Sequence, residues 1–460
     1  MKIRADYNYL LSCIGNSISQ KYPHLFLHNF DHFNLCDTYY DLFLTSIVTD
    51  YYKLKIKEGF YSYFKNFVNT DHKNLFPTQV LNNYIKEVEN EISSMNIKLD
   101  PEWKIAGDIH AGILKVKSKN KIIYKNLINE MVVTNTLSEE LLAFKEILPT
   151  YKEVDGITLR NYVAVKNNNI NLDKFYFNIG KLLSLALFFR IIDLNAENII
   201  IKDNQYPFAF DLECMLTPKI KRTRFDIQHT GILLDQLTDN HSAILGGYYK
   251  VFSYLKPIIY FENRTKPKIV WKTLSKGYTQ NKPLNLFEHP YKYINNITRG
   301  FEFGNKILIN NKYSIVEKLN NTKASIRILL RPTRVYKFIQ NKFSYPNIYT
   351  KQNVDKVIER ELKKSKYFNI GSINDKKLLN YEKNELLNYF IPLFYSKIDD
   401  NNIYTSKNEV IGTLTETPLN GWKNHLKSYD KFSKTQELKL VKILEKNYKQ
   451  FVNSKSKINH

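Results

Sequence analysis

The chain has little cysteine, glycine or proline: 3, 15 and 14 among 460 residues. Cys13, Cys36 and Cys214 form no even framework and no CxxC pair, which excludes a disulfide scaffold and a zinc site of the Cys-Cys-His type. The same scarcity fits a reducing compartment. Long apolar runs are also missing. The longest, Leu182 to Phe189, is interrupted by Ser184 and falls far short of a membrane span. Met1 to Tyr22 carries charged and polar residues throughout and has no apolar signal-peptide core, so a cytoplasmic protein without a transmembrane segment is expected. Acidic residues are short as well: 45 Asp and Glu face 68 Lys and Arg, a net charge of +23. Such a surface favours anionic partners. However, Lys, Asn, Ile and Tyr are abundant while Gly, Ala and Pro are scarce, the imprint of AT-rich coding. No nucleic-acid partner is therefore expected from charge alone. What the chain does have is 43% hydrophobic residues, enough for a sizeable core.

The most informative stretch is Asp193-Leu194-Asn195-Ala196-Glu197-Asn198 followed by Asp211-Leu212-Glu213. An Asp, an Asn five positions later and an Asp thirteen beyond that match the order in which protein kinases supply a catalytic Asp, a metal-binding Asn and a metal-binding Asp. Phosphoryl transfer needs Mg²⁺ on the phosphates, an acid to orient the attacking hydroxyl, and cations on the developing charge. Mg²⁺ takes hard oxygen ligands, usually one or two carboxylates besides the phosphates. Asn198 and Asp211 suit the metal, and Asp193 suits the hydroxyl. An apolar helix is predicted over Phe175 to Ile192. Two strands, Ile199–Ile201 and Pro207–Phe210, would form a hairpin that carries Asn198 and Asp211 to one end. Helix caps and turns are the commonest employment of Asp and Asn, so spacing alone does not decide.

Upstream, Gly112 to Lys117 and Lys121 to Lys125 read as strands around a Ser118-Lys119-Asn120 turn, ending on Lys125, a candidate phosphate lysine. Gly107-Asp108-Ile109-His110-Ala111-Gly112 precedes them as a candidate nucleotide loop. A solvent-exposed lysine is the commoner outcome in so basic a chain. The order of loop, strand lysine, helix, catalytic loop and metal Asp is the kinase order.

Together with Arg327-Ile328-Leu329-Leu330-Arg331-Pro332-Thr333, these segments resemble the dehydratase domain of LanM-type class II lanthipeptide synthetases. The resemblance runs from about residue 100 to about 440 and includes Tyr389-Phe390-Ile391-Pro392-Leu393-Phe394. It implies an α+β, lipid-kinase-like or protein-kinase-like bilobal fold with additional N- and C-terminal helical regions. It also implies ATP and Mg²⁺ as cofactors and a precursor peptide as partner, whose Ser and Thr are phosphorylated and then lose phosphate. By position, Asp108 and His110 match the nucleotide-loop pair and Lys125 the ATP lysine. Asp193 and Asn198 match the phosphorylation site, Asp211 the Mg²⁺ ligand, and Arg327 and Thr333 the pair linked to elimination. An Arg fork suits a leaving phosphate. Thr333 can hydrogen-bond the same phosphate, but a neutral hydroxyl is a poor base. A surface cation on a strand is the plain alternative for Arg327.

The chain departs from the pattern in four places, one being a loop after His110 that is short by several residues. Asn195 stands where the family has His; it keeps hydrogen bonding but carries no proton near neutral pH. Asn126-Leu127 replaces Pro-Arg after Lys125. No zinc cyclase follows, so a separate cyclase is the expected partner. Three states stay open: a stand-alone dehydratase, a kinase that stops at the phosphopeptide, and a non-catalytic partner subunit. The expected organisation is a helical, aromatic-faced region over residues 1–100, a nucleotide lobe over 101–165, a larger lobe over 166–345 and a helical region over 346–460. Lys256 to Asn285 reads as an irregular insertion. His24, His28 and His32 read as satisfied histidines, not ligands. Lys219, Lys221, Arg222 and Arg224 form a basic cluster that would meet an acidic peptide or solvate a loop.

Overall fold

The computed structural model describes residues 13, 20, 47–49, 51–52, 55, 57, 59–69, 86, 90, 104–105, 111, 115–118, 121–125, 130–154, 157–163, 170–196, 198–220, 225–233, 243–244, 252–262, 266–276, 289–343 and 351–458. Asp108, His110, His24, His28, His32, Cys36, Lys221, Arg222 and Arg224 lie outside the described residues.

Helix α1 (Phe60–Asn69) buries Phe60 and Phe64, while Tyr61, Tyr63 and Phe67 are half-buried. Strands β1 (Lys104–Ile105), β2 (Lys115–Ser118) and β3 (Lys121–Lys125) then lead to helix α2 (Glu130–Thr136). Strands β4 (Tyr151–Val154) and β5 (Ile157–Asn161) complete a five-stranded antiparallel sheet in the order β1-β2-β3-β5-β4. Ser118 pairs with Lys121 and Lys115 with Tyr124, so the start of β2 and the end of β3 share one end of the sheet.

Helix α3 (Leu172–Phe188) begins at Asn171, whose side chain accepts from the Lys174 amide, as N-caps do. It ends four residues before the predicted Ile192, because Arg190 takes a left-handed φ of 51°. Phe175, Ile179, Leu182, Leu183, Ala186 and Leu187 are buried along it, and α3 is the spine of the main core. Strands β6 (Ile199–Lys202) and β7 (Tyr206–Ala209) form the expected hairpin. Its turn places Asp203 and Asn204 at positive φ, which these residue types tolerate.

Strands β8 (Phe252–Glu262) and β9 (Lys266–Lys276) pair with each other over their whole length, where an irregular insertion was expected. Pro257 and Pro267 disguised them. In a two-stranded ribbon each strand keeps an unladdered edge, where a missing N–H costs nothing. Helix α4 (Ile294–Asn310) crosses α3 at Gly180 and Gly300, where a Cβ on either glycine would collide with the carbonyl of Ile297 or Phe177. Helix α5 (Lys312–Asn320) follows, then strand β10 (Ser325–Arg327) and helices α6 (Thr333–Lys342) and α7 (Lys351–Lys364). The remaining elements are β11 (Gly371–Ile373), α8 (Asp375–Leu387), β12 (Phe394–Lys397), β13 (Asn402–Thr405), β14 (Val410–Leu414), α9 (Pro418–Leu426) and α10 (Tyr429–Ile458). The elements after α6 are three long or medium helices and a short one, together with four strands. These strands join β10 in a second five-stranded antiparallel sheet, ordered β10-β12-β13-β14-β11. Those strands are three to five residues long, too short to carry a clean alternation. Among the described residues the fold is mixed α+β with all strand pairing antiparallel. No described helix is long and apolar enough to cross a membrane.

The segment after β7 runs between the two five-stranded sheets. Arg160 of β5 donates to the Phe210 carbonyl on one side. On the other, the Arg327 amide of β10 donates to the Glu213 carbonyl at 3.0 Å. Asp211 is held between these two anchors.

Candidate functional site

The loop after α3 turns sharply at Asp193, whose φ is 66°. An Asp accepts the left-handed region better than most residues, and its neighbours hold it there. The Asn198 side-chain amide donates to the Asp193 carbonyl at 2.8 Å, and the Leu194 amide donates to the Thr230 carbonyl at 2.8 Å. Gly231, at φ 86°, lies flat against this loop; a Cβ there would stand 3.0 Å from the Leu194 backbone. Only glycine combines that dihedral with that approach. The strained backbone at Asp193 is therefore determined from both sides, as candidate functional loops are.

Asn195 is buried, and its amide donates to Asp193 Oδ1 at 2.8 Å. The residue that departs from the family pattern thus orients the candidate catalytic carboxylate. Asn198 gives its amide nitrogen to the loop, and its Oδ1 is the end suited to a hard cation. Asp211 Oδ1 accepts from the Glu213 amide at 3.3 Å.

Glu213 lies at the centre. One carboxylate oxygen pairs with the Lys115 ammonium of β2; the other accepts from Arg327 NH1 at 3.2 Å. Lys115 Nζ is also 3.8 Å from Asp211 Oδ2. Exposure sorts the four. Lys115 and Asp211 side chains keep 20% and 24% of their surface, whereas Glu213 and Arg327 keep 8% and 7%. The cluster has an open mouth and a closed floor. Burial pulls the Arg327 guanidinium down, but Glu213 first, then Asp211 and Asp193, more than offset it and raise it above its ordinary value. The adjacent Cys214 thiol is pushed well up by burial and the same carboxylates, which outweigh Arg327 and make it an inert core thiol.

The structure therefore brings Asp193, Asn195, Asn198, Asp211 and Arg327 together. Lys125 ends β3 with its backbone paired to Ile157; its side chain lies outside what is described. Thr333 opens α6, half-buried, and makes no hydrogen bond with the acid cluster among the described residues. Its turn is held from behind. Arg331 Nε donates to Glu382 Oε1 at 2.8 Å, and the Tyr336 hydroxyl donates to the same oxygen at 2.7 Å. The segment singled out at Tyr389 to Phe394 connects Ala111 to β10. The Ala111 amide donates to the Ile391 carbonyl at 2.9 Å, and the Ile328 amide to the Phe394 carbonyl at 2.9 Å.

Sequence reasoning missed Lys115, Arg160 and the Thr230-Gly231 backing. Lys115 alternates with Val116 and Lys117 on a strand, and nothing in the string separates one lysine from the next. Gly231 had a signal in the scarcity of glycine.

For Mg²⁺, the donor set fits a metal shared with phosphates. No three His, Cys, Asp or Glu side chains converge as an all-protein cage among the described residues. Asn198 and Asp211 offer one neutral and one anionic oxygen beside the Asp193 loop, the sparse set that Mg²⁺-nucleotide sites use. Asn198 and Asp211 would hold the ion, which would supply positive charge against the anionic charge of a phosphate substrate.

Among curated proteins the chain is similar to the lacticin 481/lactococcin biosynthesis protein LcnDR2 of Lactococcus lactis subsp. lactis, 26% identical over 441 aligned positions. The match takes 85% of this chain and 46% of that protein, so the chain spans a little under half its relative's length. A family model, a domain of unknown function (DUF4135), matches residues 105–397, which include Lys115, the Asp193 loop, Asp211, Glu213, Arg327 and Thr333. That match covers more than half of the chain, and the chain belongs to the DUF4135 family.

Proposed function

We propose that the chain is a lanthipeptide-biosynthesis dehydratase that phosphorylates Ser and Thr of a precursor peptide with ATP and then eliminates the phosphate. The supporting observation is that Arg327, more than a hundred residues downstream, is packed onto Glu213 beside Asp193 and Asp211. The sequence relationship to a lacticin 481 biosynthesis protein points to the same substrate class. On this reading the two five-stranded sheets and the helices around α3 form a lipid-kinase-like, bilobal arrangement.

In the first step Asp193, held by Asn195, orients the Ser or Thr hydroxyl and takes its proton as the oxygen attacks the γ-phosphorus and ADP leaves. Asp108, His110 and Lys125 serve the nucleotide, and Asn198 and Asp211 hold Mg²⁺. In the second step a base removes the Cα proton, the Cβ–O bond breaks, and phosphate departs, leaving dehydroalanine or dehydrobutyrine. Arg327 stabilises the charge growing on that phosphate. Thr333 hydrogen-bonds the phosphate.

A second reading, a peptide kinase without elimination, draws on the burial of Arg327 and its engagement with Glu213. Incubation of the chain with precursor peptide, ATP and Mg²⁺, followed by peptide mass, separates the two. Loss of one water per modified residue supports the dehydratase; a gain of phosphate alone supports the kinase. Asp193→Asn should lower either activity about 10²- to 10⁴-fold. An unchanged rate would remove Asp193 from the chemistry.

A further inference from the structure

We infer that Lys115 is a second phosphate-contacting cation for the bound nucleotide, oriented by Glu213 as the strand lysine of protein kinases is oriented by a glutamate. The inference rests on the nucleotide-using reading above. Its support is geometric. Lys115 begins β2 in the five-stranded sheet, on the end of the sheet where β3 ends. Its ammonium lies over the Tyr124 ring, 5.5 Å from the centroid, and reaches across to the segment between the sheets. There it pairs with Glu213 and stands 3.8 Å from Asp211 Oδ2, the carboxylate proposed for the metal.

Position in the cluster decides between a structural and a functional lysine. A purely structural cation would sit on the floor, where Arg327 already pairs with the other Glu213 oxygen. Lys115 is at the mouth, as exposed as Asp211. A phosphate chain whose metal is held by Asp211 must pass within a few ångströms of that ammonium. An ammonium carries three N–H donors in a fan. Glu213 takes one of them. Lys115 would meet phosphate oxygens beside Asp211. Glu213 would then bind the nucleotide end of the site to the Arg327 end through one carboxylate.

The test uses the full chain and a non-hydrolysable ATP analogue with Mg²⁺, with affinity measured by calorimetry for the wild type, Lys115→Met and Lys115→Arg. Adenosine serves as the phosphate-free control. Lys115→Met should weaken the Mg²⁺-analogue by about tenfold or more, the loss of one charge-assisted contact, and leave adenosine binding unchanged. Lys115→Arg should recover most of the loss. Equal analogue affinity in the wild type and Lys115→Met overturns the inference and leaves the dehydratase reading standing. So does a parallel loss of adenosine, which marks a structural lysine. A wild type that binds adenosine but gains nothing from the phosphates overturns both.

Discussion

Arg327 and Arg331 stand four residues apart, are both buried, and each pairs with a glutamate at 3.2 and 2.8 Å. Their surroundings differ. The Arg327 partner, Glu213, also holds Lys115 and borders Asp211, so the pair opens onto the candidate site. The Arg331 partner, Glu382, is completely buried; one of its oxygens has no hydrogen-bond partner among the described residues, and burial raises its carboxyl above the ordinary range despite Arg331 and Tyr336. Arg331 also donates to the Ser365 carbonyl. The same pair chemistry thus serves a site in one case and a buttress in the other. What separates them is whether a third charged group and solvent reach the carboxylate.

The largest expected effect tests that division directly. Arg331→Ala leaves Glu382 buried without its cation and should cost about 3–5 kcal/mol in chemical denaturation. Arg327→Ala should cost less than half of that, because Glu213 retains Lys115, and should instead shift product toward phosphopeptide. Equal losses of stability, or an unchanged product ratio in Arg327→Ala, would erase the distinction.

A smaller effect sharpens it at the back of the Asp193 loop. Asp226 is a second buttress: it caps the turn leading to Thr230 and pairs with Lys439 of α10 at 2.6 Å. Burial pushes its carboxyl up, but His229, Lys439 and the Gln228 amide outweigh burial and hold it down at about 2. A depressed folded value stabilises above the unfolded value near 4 and loses that stabilisation as pH falls toward 2. The unfolding free energy should therefore drop over that window by about 2 kcal/mol, and Asp226→Asn should flatten the drop. Glu382, shifted upward, has the opposite sign: its contribution is present at low pH and fades as pH rises through its folded value. A wild-type curve that is flat between pH 4 and about 2 would remove Asp226 as a charged buttress.

The smallest effect concerns Asn195. Its side chain donates to Asp193, which His can also do, so Asn195→His should leave the phosphorylation rate within about tenfold, under ~1.4 kcal/mol. A complete loss would show that the asparagine is tuned to this loop.

Much of the first half of the site was legible. The apolar helix α3, the β6–β7 hairpin and the Asp193-to-Asp211 spacing are local, and local order is written in periodicity and turn residues. The β2–β3 hairpin was equally readable. The second sheet was not, because β10 finds β12 about seventy residues later and its short strands carry no pattern of their own. The β8–β9 ribbon was hidden by its prolines. Arg327 could be named by resemblance to a family, but its contact with Glu213 is a long-range pairing that no local signal announces.

The sequence by itself determined the composition class, the loop that carries Asp193, Asn195 and Asn198, and the strand–turn–strand that delivers Asp211. Only the tertiary structure decided which cation meets Asp211 and Glu213, and which of two neighbouring arginines faces the site. The reason is physical. Periodicity fixes which face of an element is buried, but the identity of an ion pair is settled by which elements the core brings within a few ångströms, and every lysine on a basic strand reads alike until then.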